Sequence, residues 1–300
     1  MPQGSDLRGI VTVLNTPFGE NGAVDFAALE RHAAYAIEAG VVGFLIPGFA
    51  AEVLALSADE RRDMVKTVVE VAKGRAQVVG GASAPTQEER LRNAEMLAAL
   101  GCDIVLANLA YTSDEQYAEE IQGLAKASSR DLMIQDFDAN GPGVPVPAIA
   151  DAFATIPAFR YLKVETFDAG PKYTALKLAT EGRLHVSGGW AVMQLIEALD
   201  RKVDAFMPTG LHRAYVTIFR RYASGDRDGA MVLFHRLLPI LAFSNQHLEH
   251  SIHFFKRLLW RQGIYPTPAL RNPTQAFDAH HQRIADELIA TAMKIEEELA

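Results

Sequence analysis

Val41-Val42-Gly43-Phe44-Leu45-Ile46-Pro47-Gly48 is the stretch that decides the fold. Its first six residues carry no polar side chain. A run that does not alternate reads as a strand covered on both faces, and such strands belong to parallel sheets with helical crossovers. Pro47-Gly48 closes it. Just upstream, Asp25 caps a helix whose apolar spacing runs through Ile37 and stops at Gly40. Before it, Gly9 to Leu14 is a strand closed by Asn15-Thr16-Pro17-Phe18. Downstream, Ser57 with Glu60 makes a capping box for a helix through Ala72.

The same alternation continues along the chain. Strands are predicted at Gln77–Gly80, Asp103–Ala107, Leu132–Gln135, Arg160–Val164, Leu184–Ser187 and Val203–Met207. Helices are predicted at Glu88–Leu100, Ser113–Ala127, Val146–Ile156, Pro171–Thr180 and Trp190–Leu199. Eight strands in this order close into an α/β barrel of the (β/α)8, or TIM, class. Residues 1–224 are assigned to the barrel and residues 225–300 to a C-terminal helical extension packed on it. The extension has helical spacing at Asp228–Leu241, His247–Arg261 and Thr274–Leu299.

A barrel routinely takes 300 residues as one unit, and a hydrophobic fraction of 49 % fills its core. The net charge of −8 and the absence of a basic tract argue against nucleic-acid binding. Cys102 is the one cysteine, so no intrachain disulfide forms, which fits a reducing compartment. Met1-Pro-Gln-Gly-Ser-Asp has no basic-then-apolar leader, and no apolar run reaches spanning length. A cytoplasmic protein without a membrane partner is expected. His280 and His281 are neighbours on a helix, about 100° apart, and cannot form an i, i+4 metal pair. No metal and no cofactor are expected.

Arg160-Tyr161-Leu162-Lys163-Val164-Glu165-Thr166 carries the chemistry. Tyr161 and Lys163 share one face of the strand and Leu162 and Val164 the other. A buried ammonium is disfavoured. Lys163 can snorkel out or pair with Glu165. Alternatively it can lose its charge, and the neutral amine is then a nucleophile that condenses with a ketone.

In such a barrel the active site lies at the carboxyl ends of the strands. The sequence puts there Asn15-Thr16-Pro17-Phe18, Gly48-Phe49-Ala50-Ala51-Glu52, Gln135-Asp136, Lys163-Val164-Glu165, Ser187-Gly188-Gly189 and Pro208-Thr209-Gly210. This set resembles the dihydrodipicolinate synthase and N-acetylneuraminate lyase family, the Schiff-base aldolases and dehydratases of 2-oxo acids. The resemblance runs the length of the chain. It implies that Lys163 is the Schiff-base lysine. It implies that Thr16, Phe49, Ala50, Ser187 and Gly188 line the carboxylate and oxo end of the substrate. The family is commonly oligomeric. With the tail's Phe234, Phe243, Phe254, Phe255 and Leu258 offering apolar surface, a homodimer or homotetramer is expected.

The departures from the family pattern are informative. Its Gly-Thr-Thr-Gly-Glu loop becomes Gly48-Phe49-Ala50-Ala51-Glu52, which keeps backbone N–H groups and Glu52 but loses both hydroxyls. Gln135 stands where the family has a proton-relaying tyrosine, and an amide does not titrate. The loop Asp136 to Val144 has no arginine to grip a second carboxylate. These changes argue against authentic dihydrodipicolinate synthase activity. The expectation is a class I lyase, an aldolase or dehydratase of a 2-oxo acid or sugar acid, with catalytic residues Lys163 and Gln135. Glu52, Tyr111 and Asp138 are further candidates, the last two as replacement proton carriers. The competing expectation is a catalytically impaired member that binds a 2-oxo acid.

Overall fold

The computed structural model describes residues 7–300, so the leader reading of residues 1–6 lies outside the described residues. Eight parallel strands close into a barrel in the order β1 to β8. They are β1 (Gly9–Val13), β2 (Gly43–Ile46), β3 (Gln77–Gly81), β4 (Ile104–Asn108), β5 (Asp131–Asp138), β6 (Phe159–Thr166), β7 (His185–Gly188) and β8 (Ala205–Phe206). The Gly43–Ile46 strand is buried at every residue, as a strand covered on both faces must be. The chain divides into two compact units, described in turn: residues 7–9 with 77–207, and residues 10–76 with 208–300. Among the described residues no helix is long and apolar enough to cross a membrane.

The first unit carries β3 to β8 with helices α3 (Gln87–Leu100), α4 (Asp114–Ser128), α5 (Val146–Thr155), α6 (Ala169–Ala179) and α7 (Leu195–Asp200). Thr86 and Glu89 cap α3 reciprocally, and Gly101 ends it at φ 96°, a left-handed turn that favours glycine. Residues 190–194, expected as helix, form a 3-10 turn before α7. The long central strands differ most from expectation. β5 and β6 each run eight residues, three or four more than the apolar pattern marks. Their pairing continues through Phe137↔Glu165 and Asp138↔Thr166. Backbone pairing sustains this stretch, because Phe137 is 45 % exposed and gives no burial signal.

The second unit carries β1 and β2, in register at Val11↔Gly43, with helices α1 (Phe26–Ala39) and α2 (Ala58–Ala72). Asp25 caps α1 by accepting from Ala28 N, and the Ser57–Glu60 capping box of α2 is formed. After β8 come α8 (His212–Ala223), α9 (Arg227–Ser244), α10 (Leu248–Arg261) and α11 (Ala279–Glu298). The α8 helix, not anticipated from sequence, buries Ala214 and Ile218 four residues apart. Thr274 was expected to open the last helix, but α11 starts at its Asp278 cap. The backbone N–H groups of Thr274 and Gln275 instead reach the Glu249 carboxylate, at 2.6 and 2.8 Å. Phe234, Phe243, Phe254, Phe255 and Leu258 are buried within the chain's own fold, so these side chains offer a partner subunit no surface.

Candidate active site

Strand register assembles the first unit's site. In parallel pairing Gln135 on β5 lies opposite Lys163 on β6, and Lys163 opposite Ser187 on β7. The three residues therefore form one row across three strands, all near the carboxyl ends. Lys163 is 5 % exposed and Gln135 3 %.

Lys163 keeps its charge paired. Its Nζ lies 3.1 Å from Glu165 Oε2. Two residues on along the strand is the same face, so the pair is dictated by the pleat. Gln135 Nε2 donates to the same Glu165 oxygen. One carboxylate thus receives both the lysine and the amide. Tyr173 of α6 also feels Glu165. Burial first, and then the Glu165 charge, push its phenol above the ordinary range and keep it protonated.

The strand-to-helix turn after β7 makes room for this carboxylate. A Cβ at Gly189 would lie 1.8 Å from Glu165 Oε1. Gly189 has φ −82°, open to any residue, so space and not backbone freedom calls for the glycine. Ser187 is fully buried and its Oγ donates to the Leu162 carbonyl at 3.2 Å. Gly188 pairs with Val164 inside β7 and is also buried.

Asp136 is turned to other partners. It pairs with Lys172 of α6 and accepts from Val144 N at 2.9 Å. Asp138 accepts from Asn140 N at 3.1 Å and Gly143 N at 3.2 Å, and these backbone bonds hold its carboxyl below the usual range. Tyr111 is 36 % exposed and donates to Asp114 Oδ1 at 2.7 Å. The polar atoms of both proposed proton carriers serve their own loops. Glu165 is the residue sequence reasoning undervalued. It was read only as a possible neutralising partner of Lys163, although its place two residues on was the available signal.

In the second unit the loop after β2 is a 3-10 turn over Phe49–Ala51 that ends at Glu52, held at φ 57°. Asn15 Nδ2 donates to Ala50 O at 2.7 Å and Thr16 Oγ1 to Ala51 O at 2.6 Å. The hydroxyl of Thr16 is thereby spent on the loop. Ala50 is buried and Phe49 is 37 % exposed. Glu52 anchors the loop to the tail. Its Oε1 lies 2.7 Å from Lys256 Nζ and its Oε2 accepts from Arg271 N at 2.7 Å. Burial pushes the Lys256 ammonium down to about 8, against the pull of Glu52. Arg271 also grips Glu60, whose carboxyl its hydrogen bonds bring down to about 2.

This unit also holds a buried polar chain. Tyr265 Oη donates to Asn15 O at 2.7 Å and lies 2.9 Å from His32 Nδ1. His32 Nε2 lies 3.1 Å from His212 Nε2, and His212 Nδ1 lies 3.1 Å from Thr12 Oγ1. The Tyr265 proton is committed, so His32 carries its proton on Nδ1. His212 then carries its own on Nε2 and accepts from Thr12. Both imidazoles are neutral in this arrangement. Burial pushes both below their ordinary value, His212 to about 3.

An eight-stranded parallel barrel with a buried lysine near the carboxyl end of its sixth strand has counterparts among known proteins. Residues 6–126 match the sequence model of the Dihydrodipicolinate synthetase family. The L-2-keto-3-deoxyarabonate dehydratase of Azospirillum brasilense is 25 % identical, aligned over 96 % of this chain and 94 % of its own. The crystal structure of dihydrodipicolinate synthase from Rhodopseudomonas palustris superposes with TM-score 0.86 at 22 % identity, covering 95 % of this chain and 98 % of its own. N-acetylneuraminate lyase from Fusobacterium nucleatum gives TM-score 0.84 at 14 % identity, covering 98 % and 99 %. At these identities the two structures speak for the fold alone. The chain thus resembles the dihydrodipicolinate synthetase family in sequence over residues 6–126 and in fold over its length.

Proposed function

We propose that the chain is a class I lyase that joins Lys163 to the oxo carbon of a 2-oxo acid or sugar acid as a Schiff base. The observation that carries this reading is the buried amine of Lys163 in one row with Gln135 and Ser187. The amine attacks C2, the N–C bond forms, and the carbonyl oxygen leaves as water. The iminium draws electrons from C3, so a hydroxyl on C4 or the C3–C4 bond can break. The dehydratase relative favours a hydroxylated 2-oxo acid and hydroxyl loss. Gln135 holds the Glu165 carboxylate and presents its remaining amide atoms to the substrate or a water. In the second unit, Thr16 and Glu52 hold the Phe49–Ala51 loop in shape.

The test is borohydride reduction in the presence of pyruvate, followed by mass mapping. A reduced adduct is expected on Lys163 and none in Lys163→Ala. Adducts confined to surface lysines would sink the reading. The second reading, an impaired member that binds a 2-oxo acid, is favoured by the Lys163–Glu165 ion pair, which occupies the amine. It predicts pyruvate binding without any adduct. Brisk turnover of pyruvate with aspartate semialdehyde would overturn the impaired reading and the expectation that authentic dihydrodipicolinate synthase activity is absent.

The assembly proposal is a homodimer or homotetramer. Its structural support is the large apolar side chains left in solvent, Leu54 at 92 %, Leu178 at 75 % and Phe167 at 71 % exposed. Light scattering at micromolar concentration is expected to give at least twice the 32.8 kDa chain mass, and a monomer would overturn the proposal.

A further inference from the structure

We infer that Glu165 is the acid–base catalyst of this site: it takes the Lys163 proton and then removes the proton from C3 of the bound iminium. The inference rests on the Schiff-base reading. Three observations carry it. Glu165 Oε2 is 3.1 Å from the reacting amine, so one proton shift along that contact yields the neutral nucleophile. Gln135 Nε2 donates to the same oxygen, which fixes the carboxylate while contributing no proton of its own. The other oxygen occupies the space that a side chain at Gly189 would fill. The carboxylate is thus seated from three strands: Lys163 beside it on β6, Gln135 on β5, and the turn after β7.

The groups around Glu165 leave this role to it. Lys163 becomes the imine nitrogen and gives up its proton. Gln135 and Ser187 do not titrate at working pH. Tyr173, facing Glu165 from α6, is held protonated by its burial. Asp136 is bound to Lys172 and faces away, and Asp138 is tied to its loop.

The proton count closes for a dehydration. Glu165 receives the ammonium proton of Lys163. The amine attacks C2, and the departing carbonyl oxygen takes that proton and the amine's as water. Glu165, again a carboxylate, takes the C3 proton. The C–H pair becomes the C2–C3 bond of the enamine, and the C=N pair returns to nitrogen. Glu165 then gives its proton to the C4 hydroxyl. The enamine pushes out water, and the carboxylate is restored.

Pyruvate tests the C3 step alone, because its methyl protons exchange in D2O only through the enamine. Exchange is followed by proton NMR and Schiff-base formation by borohydride trapping, for wild type and for Glu165→Gln. The variant is expected to trap pyruvate on Lys163 at alkaline pH, where the amine loses its proton to solvent. Its methyl exchange is expected to fall roughly 10²–10⁴-fold. Gly189→Ala keeps the carboxylate but displaces it, and should lower exchange in the same direction. It decides the matter if Glu165→Gln does not fold. Exchange at the wild-type rate in the folded variant overturns the inference. So does a wild type that traps pyruvate but does not exchange its methyl protons. A wild type that does not trap at all defeats the Schiff-base reading itself.

Discussion

Lowering the pH from 6.5 to 4.5 is expected to strip stability from the second unit, by about 1 kcal/mol per pH unit for His212, with His32 acting in the same direction. The cause is the buried chain Tyr265–His32–His212–Thr12. With Nδ1 of His32 and Nε2 of His212 as donors, every hydrogen bond runs one way. Protonating His32 puts two N–H groups face to face across the 3.1 Å His32–His212 contact, and protonating His212 puts an N–H on Nδ1, against the Thr12 hydroxyl that donates to it. Both residues have folded values depressed below the unfolded 6.5, so between the two values the unfolded chain binds more protons. The contribution is complete above pH 6.5 and drains away as the pH falls toward about 3, the folded value of His212. Glu60, brought from 4.5 to about 2 by Arg271, loses its contribution only below pH 4.5, while buried Glu296, raised above 4.5, opposes the loss and His253, lowered by burial, adds to it. Urea midpoints measured from pH 6.5 to 4.5 check the claim. A midpoint that stays level from pH 6.5 to 4.5 would show that the rings are not neutral in the fold.

Lys256→Met and Glu52→Gln are each expected to cost about 3–5 kcal/mol, because each leaves a buried charge without its partner. Lys256 has no exposed surface, and the Glu52 side chain is 7 % exposed. The ammonium also lies 4.2 Å over the Phe18 ring, which stabilises it only in part. The double variant should cost clearly less than the sum, since it removes both desolvated charges together. Urea denaturation of the four proteins at pH 7 measures the coupling. Strict additivity, or single losses below about 1 kcal/mol, would mean that the pair is solvated in solution.

The barrel was legible because its evidence is local and repeated. Apolar runs such as Val41–Ile46, caps at Asp25 and Ser57, and a stop at Gly40 each report one element. What escaped depends on partners distant in sequence. The ends of β5 and β6 follow from pairing with each other, since Phe137 and Glu165 carry no strand signal. Thr274–Gln275 stays out of the helix because Glu249 captures its N–H groups. The tail's aromatic residues read as surplus surface, yet the second unit buries them. In the site, Lys163 announced itself by standing among Leu162 and Val164. Glu165 looked like a neutralising charge until Gln135 was found on the same oxygen. Gly189 looked like an ordinary turn residue, because the atom it makes room for lies 24 positions away.

That 1.8 Å clearance sets an order of events for any lineage that arrives at this site. Glycine at position 189 is harmless with or without a carboxylate at 165, so it could drift in silently. A carboxylate that came first would meet a methyl or larger group and sit displaced from its present seat. Glu165 therefore takes up its present seat only once the glycine is in place. Reverting the pair in the laboratory should be tolerated in the opposite order, carboxylate removed before the glycine is filled.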